Sequence, residues 1–68
     1  MNNIYVMEKL KFVDKDRRII IILYQIDIKE YQLVININGK EERILYRNKG
    51  IAEDMFWYKA RLTQLWWS

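Results

Sequence analysis

Residues 18–28 read RIIIILYQIDI and constrain the fold more than any other part of the chain. From Ile20 onward every second residue is apolar, the pattern of a strand with one buried face. Ile19, Ile21 and Leu23 make the first half of the other face apolar as well. A strand that is apolar on both faces usually lies in a sheet with something packed over each side.

The rest of the chain is divided into short elements joined by turns. Apolar spacing predicts strands over residues 4–13, 31–37 and 41–47 and a helix over residues 51–67. Asn38-Gly39 is a strong hairpin signal, because both residues accept positive φ. We therefore expect an α+β fold in a single domain, residues 1–68. Its predicted form is a four-stranded antiparallel meander sheet with one C-terminal helix packed on one face (ββββα).

The register between the second and third strands decides which side chains form the core. With Lys29-Glu30 as a two-residue connection, Tyr24 faces Ile35, and the even-numbered residues of the second strand lie under the helix. The uncovered face of the sheet then carries Ile21, Leu23 and Val34.

The first hairpin has two possible registers that differ in turn length. A two-residue turn at Lys15-Asp16 puts Leu10 and Phe12 on the uncovered face. A three-residue turn exchanges the faces, because a shift of one residue moves every side chain to the other side. We favour the longer turn, since it adds a fourth strand to the core through Ile4, Val6, Leu10 and Phe12.

The helix has more large apolar residues than one contact with the sheet requires. At about 100° per residue, the stripe predicted to pack on the sheet is Ile51, Met55, Tyr58, Leu62, Leu65 and Trp66. Phe56, Trp57 and Trp67 fall outside this stripe. Because Trp is enriched in binding hot spots, we interpret these three residues as contacts for a partner.

The uncovered sheet face is the second predicted protein-binding surface. Its apolar centre, with Ile21, Leu23 and Val34, is surrounded by polar residues, and this arrangement is typical of a protein interface. The alternative is a sheet that curls into a small barrel and buries both of its faces.

The residue inventory predicts that the protein is not an enzyme. The chain has no Cys and no His, its one Ser is Ser68 and its one Thr is Thr63, so acyl transfer, thiol chemistry and zinc hydrolysis lack a required group. No Gly-rich phosphate loop is present. We therefore expect no catalytic residues, no metal site and no cofactor.

The chain of 68 residues is near the lower size limit for a stable core. Without a disulfide or a metal, such chains usually gain stability from oligomerisation or a partner. We expect a homodimer, with an interface at the sheet face or at the back of the helix.

These features lead to one main functional hypothesis, a small non-catalytic protein-binding module that acts as an inhibitor or adaptor on a host protein. Abundant Ile, Lys, Asn and Tyr indicate an AT-rich genome, which is compatible with a phage or another mobile element. The sequence does not identify the protein partner.

The alternative hypothesis is a single-stranded DNA or RNA-binding protein that uses the open sheet face. The formal net charge of +3 is compatible with nucleic acid. In this interpretation Tyr5 is a stacking ring, and the phosphate contacts are Lys9, Lys11, Arg43 and Arg47.

The location predicted from the sequence is the cytoplasm. We find no signal peptide, and the longest uncharged apolar run is too short to span a bilayer, so no membrane association is expected. No residue motif identifies a family. The predicted ββββα order with a basic sheet face is similar, in architecture alone, to some dimeric single-strand-binding transcription cofactors and to small phage-encoded inhibitors of host defence enzymes.

Overall fold

The computed structural model describes the backbone of residues 6–67 and the side chains of residues 6–62. In this part, four strands precede one helix: β1 (Met7–Asp14), β2 (Ile19–Asp27), β3 (Glu30–Ile37), β4 (Lys40–Tyr46) and α1 (Lys49–Trp67). The strands pair antiparallel in the order β1-β2-β3-β4, so β1 and β4 are the two edges of an open sheet. The predicted α+β class and the ββββα order are confirmed, and the sheet does not close into a barrel.

Helix α1 packs on one face of the sheet, which we call the covered face. The fully buried core consists of Ile19, Ile21, Leu23, Tyr31, Leu33, Ile35, Ala52, Phe56 and Ala60. Leu10 and Phe12 from β1, together with Ile44 and Tyr46 from β4, pack around it. The helix covers this face because it is the one on which all four strands present large apolar side chains, and burying them provides the main driving force for folding.

The predicted register of β2 is wrong, and the two faces of this strand are exchanged. The turn between β2 and β3 consists of Ile28 and Lys29, and Asp27 pairs with Glu30 across it. The Asp27 carboxylate accepts a hydrogen bond from the Ile28 N–H at 2.7 Å, a side-chain to backbone bond typical of Asp at the start of a turn. A bulge at Ile26 then shifts the register between this turn and the rest of β2.

The exchange moves the even-numbered residues of β2 to the side of the sheet that α1 does not cover. We call this side the uncovered face. Ile21 now faces Ile35, and Leu23 faces Leu33, on the covered face. The predicted pairing of Tyr24 with Ile35 does not occur.

The first hairpin is closed by a four-residue turn, residues 15–18, and neither predicted turn length is correct. Asp14 pairs with Ile19, and the Asp14 carboxylate accepts a hydrogen bond from the Arg17 N–H at 3.3 Å. The favoured outcome for Leu10 and Phe12 is nevertheless confirmed, because the four-residue turn places them on the same side as Ile21 and Leu23, which is the covered face.

The first residues of the predicted first strand do not all follow this outcome. Val6 is exposed and does not join the core, so its predicted position is wrong. Ile4 lies outside the described residues.

The predicted Asn38-Gly39 turn is confirmed, and it is tied to the first hairpin. Asn38 and Gly39 have φ values of 58° and 90°, and the residues that flank them, Ile37 and Lys40, pair across the turn. The Asn38 N–H donates a hydrogen bond to the Arg18 carbonyl at 2.9 Å. The two turns therefore stabilise each other at one end of the sheet.

Helix α1 begins two residues earlier than predicted because Asn48 caps it. The Asn48 side-chain oxygen accepts a hydrogen bond from the Ile51 N–H at 3.1 Å. Its carbonyl accepts the first helical hydrogen bond, from the Ala52 N–H at 2.9 Å. Both contacts are typical of a helix N-cap.

The predicted core stripe of the helix is correct for Met55, which packs against the core, but wrong for Ile51 and Tyr58, because α1 is rotated about its axis. Ala52, Phe56 and Ala60, spaced four residues apart, face the sheet, whereas Ile51 and Tyr58 are more than half exposed. Four-residue spacing keeps side chains on one helix face. The two alanines let the helix backbone approach the sheet closely, and Phe56 fills the space between them. The side chains of Leu65 and Trp66, also predicted for this stripe, lie outside the described residues.

Candidate binding surfaces

The uncovered face carries three rows of side chains across the four strands. The middle row, from β1 to β4, is Lys11, Ile22, Val34 and Arg43. The row nearer the Asn38-Gly39 turn is Val13, Ile20, Asn36 and Glu41. The row on the other side is Glu8, Tyr24, Gln32 and Leu45. The centre of this face is therefore mostly apolar, and its charged side chains are confined to the edge strands.

The apolar centre forms a shallow depression of about 500 Å³. Ile22, Tyr24, Ile26 and Val34 line it and are only partly buried, and Ile20 on the same face is 41% exposed. No element within the described residues covers these side chains. An exposed apolar patch with a polar rim is characteristic of an interaction surface.

The edge strands supply charges of both signs to the rim. On β4, the Arg43 Nε donates a hydrogen bond to a Glu41 carboxylate oxygen at 2.7 Å. Beyond the end of β4, the Arg47 Nε lies 4.0 Å from a Glu30 carboxylate oxygen. Both arginines therefore have a carboxylate partner within the chain, which reduces the positive potential near β4.

A second apolar patch lies on the outward side of α1. Ile51, Trp57 and Tyr58 are 53%, 59% and 54% exposed, and we call them the helix patch. They lie on one exposed arc of the helix, and Asp54 and Arg61 lie between them on the same arc.

Trp57 is held in place although its side chain is exposed. Its ring lies 5.0 Å from that of Phe56 in an edge-to-face arrangement, with an angle of 86° between the ring planes. Phe56 is buried in the core and is 1% exposed. This contact orients the Trp57 ring before any partner binds.

The six predicted protein-binding residues fall into three groups. Ile21 and Leu23 on β2 are buried beneath α1, with exposures of 0% and 1%, and Phe56 of α1 is buried against the sheet, with an exposure of 1%. The predicted surface positions of these three residues are therefore wrong. Their positions follow from the register of β2 and the rotation of α1. Val34 lies on the uncovered face and Trp57 on the exposed helix patch, as predicted, whereas the Trp67 side chain lies outside the described residues.

Sequence reasoning missed the residues that form the centre of the uncovered face, because it assigned Ile20, Ile22 and Tyr24 to the core. No local pattern in the sequence marks the cause, which is the bulge at Ile26. A two-residue turn after Asp27 would by itself pair Tyr24 with Leu33 and leave the even-numbered residues of β2 under the helix, whereas the extra residue of the bulge moves them to the other face.

The predicted nucleic-acid contacts do not form one patch. Lys9 and Lys11 lie on β1, while Arg43 lies on β4 and Arg47 just beyond it, at the opposite edge of the sheet. Three strand spacings separate these edges, about 14 Å. Tyr5 lies outside the described residues. The carboxylates that pair with the two arginines would also repel phosphate.

The described residues, 6–67, contain neither a metal-binding cluster nor a membrane-spanning helix. In this range, no three acidic side chains come close enough together to hold a metal ion, and no helix is long and apolar enough to cross a membrane. Every buried side-chain nitrogen or oxygen in the described part has a hydrogen-bond partner.

Comparisons of the chain with protein-family models, with curated proteins and with solved structures find no match.

Proposed function

We propose that the protein is a small non-catalytic protein-binding module, an inhibitor or adaptor, that docks on its partner through the helix patch. The observation that supports this function best is Trp57, which is 59% exposed yet oriented by its contact with Phe56. An exposed Trp loses little conformational entropy on binding when its ring is already positioned.

The neighbours of Trp57 give the patch the size and pattern of a helix that binds in a groove. Ile51 and Tyr58 lie two turns apart on the same arc, which is the spacing of anchors that enter an apolar groove. Asp54 and Arg61 lie between this pair and Trp57 around the helix, where charged contacts with the partner fix the orientation. The partner that fits this surface is a folded protein with an apolar groove wide enough for one helix.

An origin in a phage or another mobile element, with a host protein as the target, is part of the same proposal. Its support is the composition rich in Ile, Lys, Asn and Tyr. An inhibitor or an adaptor needs a rigid recognition surface and no catalytic groups, and the helix patch on a small sheet is such a surface.

The test is capture of a partner from a lysate of the source cells by the immobilised full-length chain. We expect one stoichiometric protein on the wild-type chain and its loss on the double variant Trp57→Gln and Tyr58→Gln. Ile28→Gln is the matched control, because Ile28 is 82% exposed in the β2–β3 turn, outside the helix patch. Circular dichroism checks that all three chains are folded.

Equal capture by the wild-type chain and the double variant would contradict a role for the helix patch. The nucleic-acid alternative is tested separately by fluorescence anisotropy with a labelled single-stranded oligonucleotide. We expect no binding at low salt. Binding that weakens steeply as salt is added would favour that alternative, because phosphate contacts release counterions.

A further inference from the structure

We infer that the uncovered face is a self-association surface on which a second copy of the chain packs, giving a homodimer with the layers helix, sheet, sheet, helix. The inference goes beyond the proposed function and does not depend on it, because the helix patch lies on the other side of each subunit.

The composition of β2 favours a second layer on the uncovered face. Its residues are apolar on the covered face, with Ile21 and Leu23, and on the uncovered face, with Ile20 and Ile22. Strands that are apolar on both faces occur in sheets that are packed on both sides. Within residues 6–62 of one copy, α1 covers one side of the sheet and no element covers the other, so one apolar side of β2 has no layer packed on it.

The arrangement of charge on this face also favours a second copy as its partner. A two-fold symmetric interface uses the same patch on both copies, so the patch must be complementary to itself. Lys11 and Arg43 lie in the middle row, at opposite edges. Glu8 lies one row away from Lys11 in one direction, and Glu41 lies one row away from Arg43 in the other.

These charges are complementary to those of a second copy whose uncovered face packs against the first. An oblique two-fold axis between the sheets brings Glu8 over Lys11 of the second copy and Glu41 over its Arg43. Packed sheets are commonly rotated relative to each other because each sheet is twisted. A nucleic acid, in contrast, would meet Glu8 and Glu41 with like charge.

Association through the sheet edges is disfavoured. The β4 edge begins with the charged residues Lys40, Glu41, Glu42 and Arg43, and a bulge at Lys9 interrupts β1. Charged side chains and bulges are the features that keep exposed edges from pairing with another chain. The edges are therefore protected against pairing with a second copy, whereas the centre of the uncovered face is not.

Sedimentation equilibrium of the full-length chain tests the inference. We expect the wild-type chain to be a dimer at micromolar concentration. Ile22→Lys would place an unpaired charge in the centre of the interface and should raise the dissociation constant at least roughly 100-fold. Ile28→Lys, in the exposed turn, is the matched control and should remain dimeric.

A charge-reversal series keeps the test valid if Ile22→Lys fails to fold. Glu41→Arg places like charges opposite Arg43 of the second copy and should weaken the dimer, and adding Arg43→Glu should restore it. A wild-type chain that stays monomeric at high concentration would overturn the inference. A dimer that survives Ile22→Lys and Glu41→Arg, or that dissociates on Trp57→Gln, would place the interface elsewhere.

Discussion

Arg18 has a backbone conformation that is costly for a residue with a side chain. Its φ is 56°, in the left-handed region where Cβ crowds the following carbonyl. The conformation is retained because it closes the turn at residues 15–18 and because the Arg18 carbonyl accepts a hydrogen bond from the Asn38 N–H. The local strain is therefore offset by a contact between two hairpins.

Glycine at this position should relieve the strain and preserve the contact, because the hydrogen bond uses only the backbone. We expect Arg18→Gly to raise the free energy of unfolding by about 0.5–1 kcal/mol, measured by urea denaturation at a fixed protein concentration. Lys15→Gly is the control in the same turn. It should lower stability by a similar amount, since Lys15 has no positive φ to relieve. A loss of stability on Arg18→Gly would contradict this account of the turn.

At the scale of the elements, the orientation of α1 decides which aromatic residues stabilise the fold and which can bind a partner. Phe56 lies between Ala52 and Ala60 on the side of the helix that faces the sheet, and Trp57 lies on the exposed side. Two adjacent aromatic residues therefore have different roles, and substitution distinguishes them.

We expect Phe56→Ala to lower the free energy of unfolding by about 3–5 kcal/mol, because it leaves a cavity in the core. Such a loss approaches the whole stability of a domain this small, so Phe56→Leu serves as a milder variant that should change stability in the same direction. Trp57→Ala should change it by less than about 1 kcal/mol. Urea denaturation followed by circular dichroism measures all three, and a larger loss for Trp57→Ala than for Phe56→Ala would contradict the orientation of α1.

The sequence predicts the elements of this fold better than it predicts their faces. Alternation and the Asn38-Gly39 turn are local signals, and the order ββββα follows from them. The faces of β2 depend on the bulge at Ile26, which shifts the register by one residue, and alternation cannot reveal such a shift in a strand with apolar residues on both sides. Helix α1 has the same ambiguity, because large apolar residues occur around most of its circumference.

The same ambiguity decides which residues of the candidate surfaces can be predicted from the sequence. Val34 was placed correctly because β3 alternates clearly between apolar and polar residues, so only one of its faces suits the core. Ile21 and Leu23 were misplaced because β2 has no such contrast. Burial of Phe56 could not be predicted from the most continuous apolar stripe, since close approach of the helix depends on Ala52 and Ala60.

At the scale of the whole molecule, the uncovered face and the helix patch lie on opposite sides of the subunit, so both can be occupied at once. In the proposed dimer the sheets pack in the middle, and each α1 faces outward with its helix patch exposed. Such a dimer would present two copies of the patch, and two linked sites bind a multivalent or dimeric target more tightly than one. Self-association and partner binding would then reinforce each other.

In the proposed dimer, α1 covers one face of β2 and a second copy covers the other. Because the chain has no Cys, a single introduced thiol reports on each face without background. We expect the thiol of Ile21→Cys to resist alkylation at every protein concentration, since Ile21 lies in the core.

The thiol of Ile22→Cys should react rapidly at nanomolar concentration, where copies are separate, and slowly at micromolar concentration, where the dimer buries it. The rate of alkylation of these two variants across that range of concentration is the most direct test. A concentration-dependent rate at Ile22→Cys beside a uniformly slow rate at Ile21→Cys is the result that the account predicts. A rate at Ile22→Cys that does not depend on concentration, or a faster reaction at Ile21→Cys, would contradict it.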